Sequence, residues 1–487
     1  MGEEKNAKSG YGKIYEVIAY VVLGAFFVWS VFFDFSPLIF TVFCLLAFTL
    51  IAFKADIGLG LIIFLTMIFE RFFTLKPLIA GGDIYKIYPL DVIIIFSIIA
   101  LIVGVALGHK KMNLIWGWPE KLMALFILIV SAYFIRSLFD LNADFATAFS
   151  SLKNYGFYPL LYFLTIYSIS DKSKFKKTVH LILLAGIILI AFIVIGVFRG
   201  NGLWTEFTPL STQGARLLAG THGFYLSLAV LIGLGLVSFS RCRSNFFAGL
   251  ILWIWIFGVI GSLMRHLWLA LFFGIFILFL TMKKENKTKF LPFTGKNILV
   301  AASILVLIFF LATNFISWQN TTNPAITMLS GITERAASFT SGSEDQSANW
   351  RIALWYSAKN AWIQNPLWGV GFGRQIPLEI GTWKKFEEVR NLHNSPLAIT
   401  VQMGIAGFTA FVLAIGAVIF SGFRNIYSNK ELAPYYLGIF AGVFLFLTAS
   451  FFQPYLETNL TGIFLWILLG LLRTSYIINK NDQNIIE

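Results

Sequence analysis

What most constrains this chain is the recurrence, along its whole length, of apolar runs of about 18 to 22 residues, each long enough to cross a hydrocarbon core of about 30 Å as a helix. They predict spans near residues 14–33, 36–53, 57–69, 89–108, 121–139, 156–170, 178–198, 219–240, 245–262, 266–282, 297–314, 395–421, 433–451 and 457–473. In lipid every backbone N–H and C=O must find a partner within the protein, so such runs become helices. The central expectation is about fourteen crossings, or about twelve if the short runs at 57–69 and 156–170 do not span. Charged residues make up 13% of the chain against 58% hydrophobic ones, and mean hydropathy is +0.78. Soluble chains carry roughly 25% charged residues, so a string of soluble domains is excluded. The expected fold is an all-α polytopic membrane protein of about 12–14 transmembrane helices with one long outer loop carrying short helices. The opening MGEEKNAKSGYGK leads into a full-length apolar run without a small-residue cleavage site, which reads as a retained span.

The formal net charge is +13. Its Lys and Arg sit in short loops between apolar runs, so topology accounts for it and no nucleic-acid partner is implied. With the N-terminus in the cytoplasm, GHKK, DKSKFKK, RCR, KKENKTK, FRNIYSNK and the C-terminal tail all fall on the cytoplasmic side. Both termini are then cytoplasmic. The outer side receives 70–88, 199–221, the turn at 261–266 and the long stretch 315–395. Cytoplasmic basic residues are mostly Lys, whereas the outer side carries Arg71, Arg136, Arg199, Arg216, Arg265, Arg335, Arg351, Arg374 and Arg390. Lysine suffices to set topology; a planar guanidinium is favoured where phosphate or carboxylate is held by paired hydrogen bonds. The plainer alternative is that these arginines reach outward to headgroups. Cys44, within an apolar run, and Cys242, in SRCRSN, suggest neither a disulfide framework nor a metal site.

The outer stretch has its own pattern. From Asn349, residues Arg351, Trp355, Ala358 and Trp362 recur at helical spacing, and Asn365-Pro366 ends the helix. Tryptophans along one side suit a membrane interface. GVGFGR follows, with Gly369, Gly371 and Gly373 before Arg374; such a loop can bring backbone N–H groups to an anion, although it lacks the Lys-Ser/Thr of a nucleotide loop. Of the five histidines, His109 and His180 fall on the cytoplasmic side or near it, and His222, His266 and His393 on the outer side. His393 stands between polar residues just before a span. It is either a helix-end residue or a general base near neutral pH.

His393-Asn394, nine residues, and GIAG at Gly404 to Gly407 resemble the signature of the O-antigen ligase and polymerase family, membrane enzymes that act on lipid-linked polysaccharide. ARLLAGTHGFYLSL from Ala215, GSLMRHLWLAL from Gly261 and NWRIALW…NPLWGVGFG from Asn349 resemble its other landmarks, in order. Met264 stands before Arg265 where the family usually has Ser, and the Asn that follows the first arginine motif is represented at most by His222. The resemblance covers roughly residues 215–420. It implies N-terminal transmembrane helices over 1–210, a catalytic region over 211–425 that includes the outer loop 315–395, and C-terminal helices with a cytoplasmic tail over 426–487.

The resemblance further implies a glycosyltransferase of a bacterial inner membrane, acting on the periplasmic face. Its donor would be an undecaprenyl-diphosphate-linked glycan, and its acceptor a lipid A core hydroxyl or, in a polymerase, a second lipid-linked glycan. His393 would be the general base, and Arg216 and Arg265 would bind the diphosphate. Arg351, Arg374, Asn394, His222 and His266 would contact substrate. No metal or other cofactor is called for, because arginines can supply the positive charge. A transporter of lipid-linked glycans is the rival from another class, but transporters place ionisable residues at mid-span, whereas Glu16, Asp91 and Arg136 sit at span ends. A structural membrane subunit is the third reading, and the Arg- and Trp-rich outer loop speaks against it.

Overall fold

The computed structural model describes residues 17–18, 21–25, 37–54, 56–74, 78–80, 83–85, 87–108, 116–199, 217–239, 246–288, 346–380 and 383–486. The spans expected at 14–33 and 297–314 lie largely or wholly outside these. Among the described residues, seven helices are long and apolar enough to cross a membrane, and four shorter apolar helices accompany them. The protein is an all-α polytopic membrane protein.

The chain forms two compact units. The first comprises Met1–Leu114 and Phe163–Ile182. It holds α1 (Pro37–Phe53), α2 (Ile57–Thr74), a short hairpin of β1 (Leu78–Ala80) with β2 (Asp83–Tyr85), and α3 (Pro89–Ala106). Asp91 accepts from the Tyr88 N–H at 3.0 Å and closes the first turn of α3. Gly58 lets α2 lie directly on Ser97 of α3: a Cβ there would stand 1.9 Å from the Ser97 Oγ.

The second unit comprises Ile115–Tyr162 and Leu183–Glu487. Its helices are α4 (Trp118–Phe139), α5 (Phe145–Leu152), most of α7 (Lys172–Arg199), α8 (Gly220–Phe239), α9 (Phe246–Gly261) and α10 (Arg265–Thr281). After them come α11 (Gln346–Ile363), a hairpin of β3 (Gln375–Ile380) and β4 (Trp383–Glu388), α12 (Ser395–Asn425), α13 (Ala433–Ser450) and α14 (Gly462–Ile486). Lipid offers little hydrophobic drive for helices to associate, so small residues that allow close approach matter most. Gly438 and Gly442 of α13 fill that role against α8, where a Cβ on Gly438 would lie 2.5 Å from the Ile232 Cα.

Hydrogen bonds fix the helix directions. At one end Arg473 of α14 pairs with Glu120 of α4 at 2.7 Å and donates to Ser421 of α12 at 2.6 Å. At the opposite end Tyr133 of α4 donates to the Met403 carbonyl, and Arg136 to the Trp368 carbonyl. Arg265, His393 and the loop 451–461 all lie at this second end.

Two expectations change. The run at 156–170 is not one span: a π-helical turn, Lys153–Phe157, follows α5, and α6 (Leu160–Ser168) begins only after Pro159. Proline lacks the N–H that would continue the helix. The outer stretch carries a β-hairpin as well as a helix, with Gln375 paired to Glu388 and Ile380 to Trp383. Leu354 and Ala358 of α11, Ile376, Leu378, Val389, Leu392, Ala398 and Val401 form one buried cluster beneath it. Short alternating strands inside a long loop leave a much weaker sequence signal than a span.

Candidate active site

His393 is the last residue but one before α12 and has φ +53°, in the left-handed region that few residues other than glycine adopt. The cause is the helix start. Asn394 is extended and its Oδ1 accepts from the Leu397 N–H at 3.0 Å, capping α12, and Pro396 follows in the first turn. The chain therefore turns sharply at His393 and holds its ring aside from the helix axis. Such backbone strain persists only where the surroundings over-determine it.

The surroundings do so from three elements. The Trp350 ring of α11 meets the imidazole edge-on at 5.2 Å between centroids. Gln453 Oε1, from the α13–α14 loop, lies 2.9 Å from Nδ1. Trp355 Nε1 donates to the Leu392 carbonyl at 2.7 Å. Burial lowers the His393 pKa below the usual histidine value; the Gln453 hydrogen bond raises it, Arg351 lowers it and Glu387 raises it. The net direction is downward, toward the neutral ring. Trp350 and Trp355 of α11 thus serve the His393 loop, while Trp362 donates to the Pro366 carbonyl just beyond the helix.

Behind His393 lies a buried polar network that sequence reasoning missed. Ser395 and Tyr155 both donate to the Glu457 carboxylate, and Asn154 Nδ2 donates to the Glu457 carbonyl at 2.9 Å. Gln402 accepts from Ser151 at 3.0 Å and donates to Tyr155. The π-helical turn brings Asn154 and Tyr155 to this cluster; such turns often occur at functional sites. Burial pushes the Glu457 carboxyl up to about 7, against the hydrogen bonds from Ser395 and Tyr155 and the charge of Arg390. The same loop reaches the α9–α10 turn, where Tyr455 OH lies 3.1 Å from His266 Nε2. The polar run QPYLETN, residues 453–459, is the signal that was missed: the last helix begins only at Gly462, not at 457.

Other predicted residues fall as follows. Arg265 is the first residue of α10, beside His266, so it stands at the same end of the unit as His393. Arg216 lies outside the described residues; its neighbour Leu217 donates to the Gly261 carbonyl at 3.0 Å, tying that strand of chain to the turn before Arg265. Arg351 is close enough to His393 to shift its titration. His222 is fully buried in α8, edge-on to Phe192 and Tyr225. Arg374 donates to the Leu141 carbonyl at 2.9 Å and, with Arg136, lines a groove of about 1130 Å³ along α11 whose walls do not include His393.

The glycine loop departs from expectation. Gly369, Gly371 and Gly373 all have positive φ, but their stretch serves the fold rather than an anion. The N–H groups of Gly369, Val370, Gly371 and Phe372 donate to Asn365, Val401, Gln402 and the Ser137 hydroxyl. Two of these acceptors are freed by a break in α12 at Gly404, which has φ +64° and ψ −169°. Ile405 and Ala406 donate in return to Pro366 and Leu367. Every backbone group opened by the kink that these bonds reach is paired again, as burial demands.

The family model described as O-antigen ligase matches residues 250–412, a stretch that takes in Arg265, His266, Arg351, Arg374, His393 and Asn394. No curated protein matches the chain.

Proposed function

We propose, from the membership of the O-antigen ligase and polymerase family that this match supports, that the protein moves a glycan from undecaprenyl diphosphate to a lipid A core hydroxyl on the periplasmic face of a bacterial inner membrane. The observation that carries the reading is the His393 ring, strained into place against Trp350 and Gln453 at the end of the unit that also bears Arg265. A base must be unprotonated at working pH and fixed in direction; the Gln453 and Trp350 contacts support the second, and the burial that lowers the pKa supports the first.

In the reaction, His393 accepts the proton of the acceptor hydroxyl as its oxygen forms a bond to the anomeric carbon of the donor sugar. The bond from that carbon to the diphosphate oxygen breaks, and its electron pair leaves with the undecaprenyl diphosphate. Arg265 and Arg216 stabilise the charge that grows there. Arg351 contributes contacts to the diphosphate or to acidic sugars, Arg374 is left to acidic sugars that reach the α11 groove, and Asn394 and His266 complete the surroundings. The proton passes from His393 to water, which restores the base. The outer face offers no nucleotide supply, so the diphosphate leaving group brings its own activation. Arginines hold it, and activity is expected to persist in EDTA.

The test uses the purified full chain in nanodiscs with an undecaprenyl-diphosphate oligosaccharide, with and without a lipid A core acceptor, comparing wild type with His393→Ala. Glycosylated acceptor, lost in the variant, is the expected product. A lengthened lipid-linked glycan formed without acceptor would identify a polymerase. Unchanged glycan in both arms would overturn the transferase reading and favour transport.

A further inference from the structure

The loop that joins α13 to α14 lies beyond residue 412, where the family match ends, yet it touches the candidate base directly. We propose that Gln453 is a positioning residue for His393: its side-chain oxygen accepts the Nδ1–H, fixes the tautomer and turns Nε2 toward the acceptor hydroxyl. This rests on the transferase reading above.

Three observations carry it. The first is the contact, Nδ1 to Oε1 at 2.9 Å. An amide oxygen only accepts, so the ring nitrogen facing it carries the proton and the lone pair is left on the other nitrogen. The second is that the loop is pinned at Gln453 and again just after it. Ser395 Oγ reaches the Gln453 carbonyl at 3.4 Å and accepts from the Leu456 N–H at 3.2 Å, while Glu457 is locked by Ser395 and Tyr155. Pro454 restricts the backbone between these anchors. The third is that the same loop touches His266 through Tyr455 and accepts at the Leu460 carbonyl from Tyr225 of α8. The loop is therefore one rigid piece that meets the α9–α10 turn and the start of α12 together. A side chain whose only task was to fill space would need none of these restraints. Two charged groups influence the ring from the elements packed on it, Arg351 of α11 and Glu387 of β4. Gln453 itself is neutral, so it orients the base without adding a charge that would keep it protonated.

The experiment has one readout that needs no substrate. Exchange of the His393 C2 proton, followed by mass spectrometry across pH on the full chain in nanodiscs, gives the ring's titration midpoint. Gln453→Glu places a carboxylate against Nδ1 and is expected to raise that midpoint by about one pH unit or more, because an adjacent opposite charge favours the protonated ring. His266 and His180, read in the same digest, report whether the fold is intact. In transfer assays, Gln453→Ala is expected to lower kcat about tenfold or more with KM little changed, and to have no further effect in a His393→Ala background. Gln453→Glu is expected to move the acid limb of the rate profile to higher pH with the exchange midpoint.

An unmoved His393 midpoint in Gln453→Glu with the other histidines unchanged would overturn the proposal, as would an equal loss from Gln453→Ala with and without His393. If the midpoint moves but His393→Ala still transfers glycan, the base role itself fails and the positioning role with it. The exchange data distinguish that outcome from a failure of Gln453 alone.

Discussion

His393 and Glu457 are linked through Gln453 and Ser395, and burial acts on them in opposite directions. Burial disfavours the charged form of each group, so the histidine loses basicity and the carboxyl loses acidity. For the proposed reaction, the acid limb of kcat/KM, which reports the base in the free enzyme, should lie below pH 6.5, the ordinary histidine value. A limb above pH 7 measured on a defined donor would contradict the geometry described for His393. For Glu457 the consequence is stability. Its pKa rises from 4.5 to about 7 on folding, so the fold favours the protonated form. That contribution is fully present below pH 4.5 and is lost as pH rises through about 7, a change of about 3 kcal/mol as an upper figure. Thermal melts from pH 4 to 8 should show wild type losing stability over that window and Glu457→Gln losing markedly less; parallel curves would exclude Glu457 as the source. His393 was legible in the sequence because it stands in a recognisable spacing. Glu457 was not: it is the first residue of the run read as span 457–473, and a lone acidic residue at a span end carries no spacing that would single it out.

Among elements, the kinked helix α12 and the turn at 366–371 depend on each other. Gly404 has a backbone conformation closed to side chains, and a Cβ there would stand 2.2 Å from the Leu367 carbonyl oxygen. Gly404→Ala should therefore cost about 3 kcal/mol or more. Gly416, in the same helix with nothing within 4 Å of its would-be Cβ, should gain slightly from the same change, by up to about 1 kcal/mol. Melting temperature and monodispersity in detergent compare the two directly. Equal effects would mean that the kink is not built into the folded state. The GIAG motif was visible in the sequence as part of a spacing, with no structural role attached to it. GVGFGR looked like an anion cradle because glycines permit close approach; what approaches is the protein itself, the backbone of Gln402 and Gly404 at Gly369, Leu141 and Ser137 at Gly371, and the backbone of Asp144 and Ala148 at Gly373. Spacing alone does not tell which partner a glycine admits.

Across the second unit, the two ends carry different kinds of polar chemistry. The end with His393 holds a network of mostly neutral hydrogen bonds around one carboxyl. The other end holds a buried ion pair, in which Glu120 accepts from Arg473, Tyr162 and the Gly117 N–H. Removing one member leaves an uncompensated charge, so Glu120→Ala should destabilise by about 3–5 kcal/mol, whereas replacing both by leucine should recover most of the loss. KM for the donor should stay within about twofold in the double variant, since the pair is at the far end from His393; a large KM change would mean that the ends are coupled. The sequence by itself determined the membrane class and, among the described residues, the limits of most apolar helices to within a few positions, because apolar run length is a local property that lipid reads directly. Only the tertiary structure decided that 156–170 is broken, that the glycine loop is structural, that His222 is buried, and that a loop between the last two spans reaches His393. Each of those depends on which chain segment lies opposite, and hydrogen bonds between residues hundreds of positions apart leave no periodicity to read.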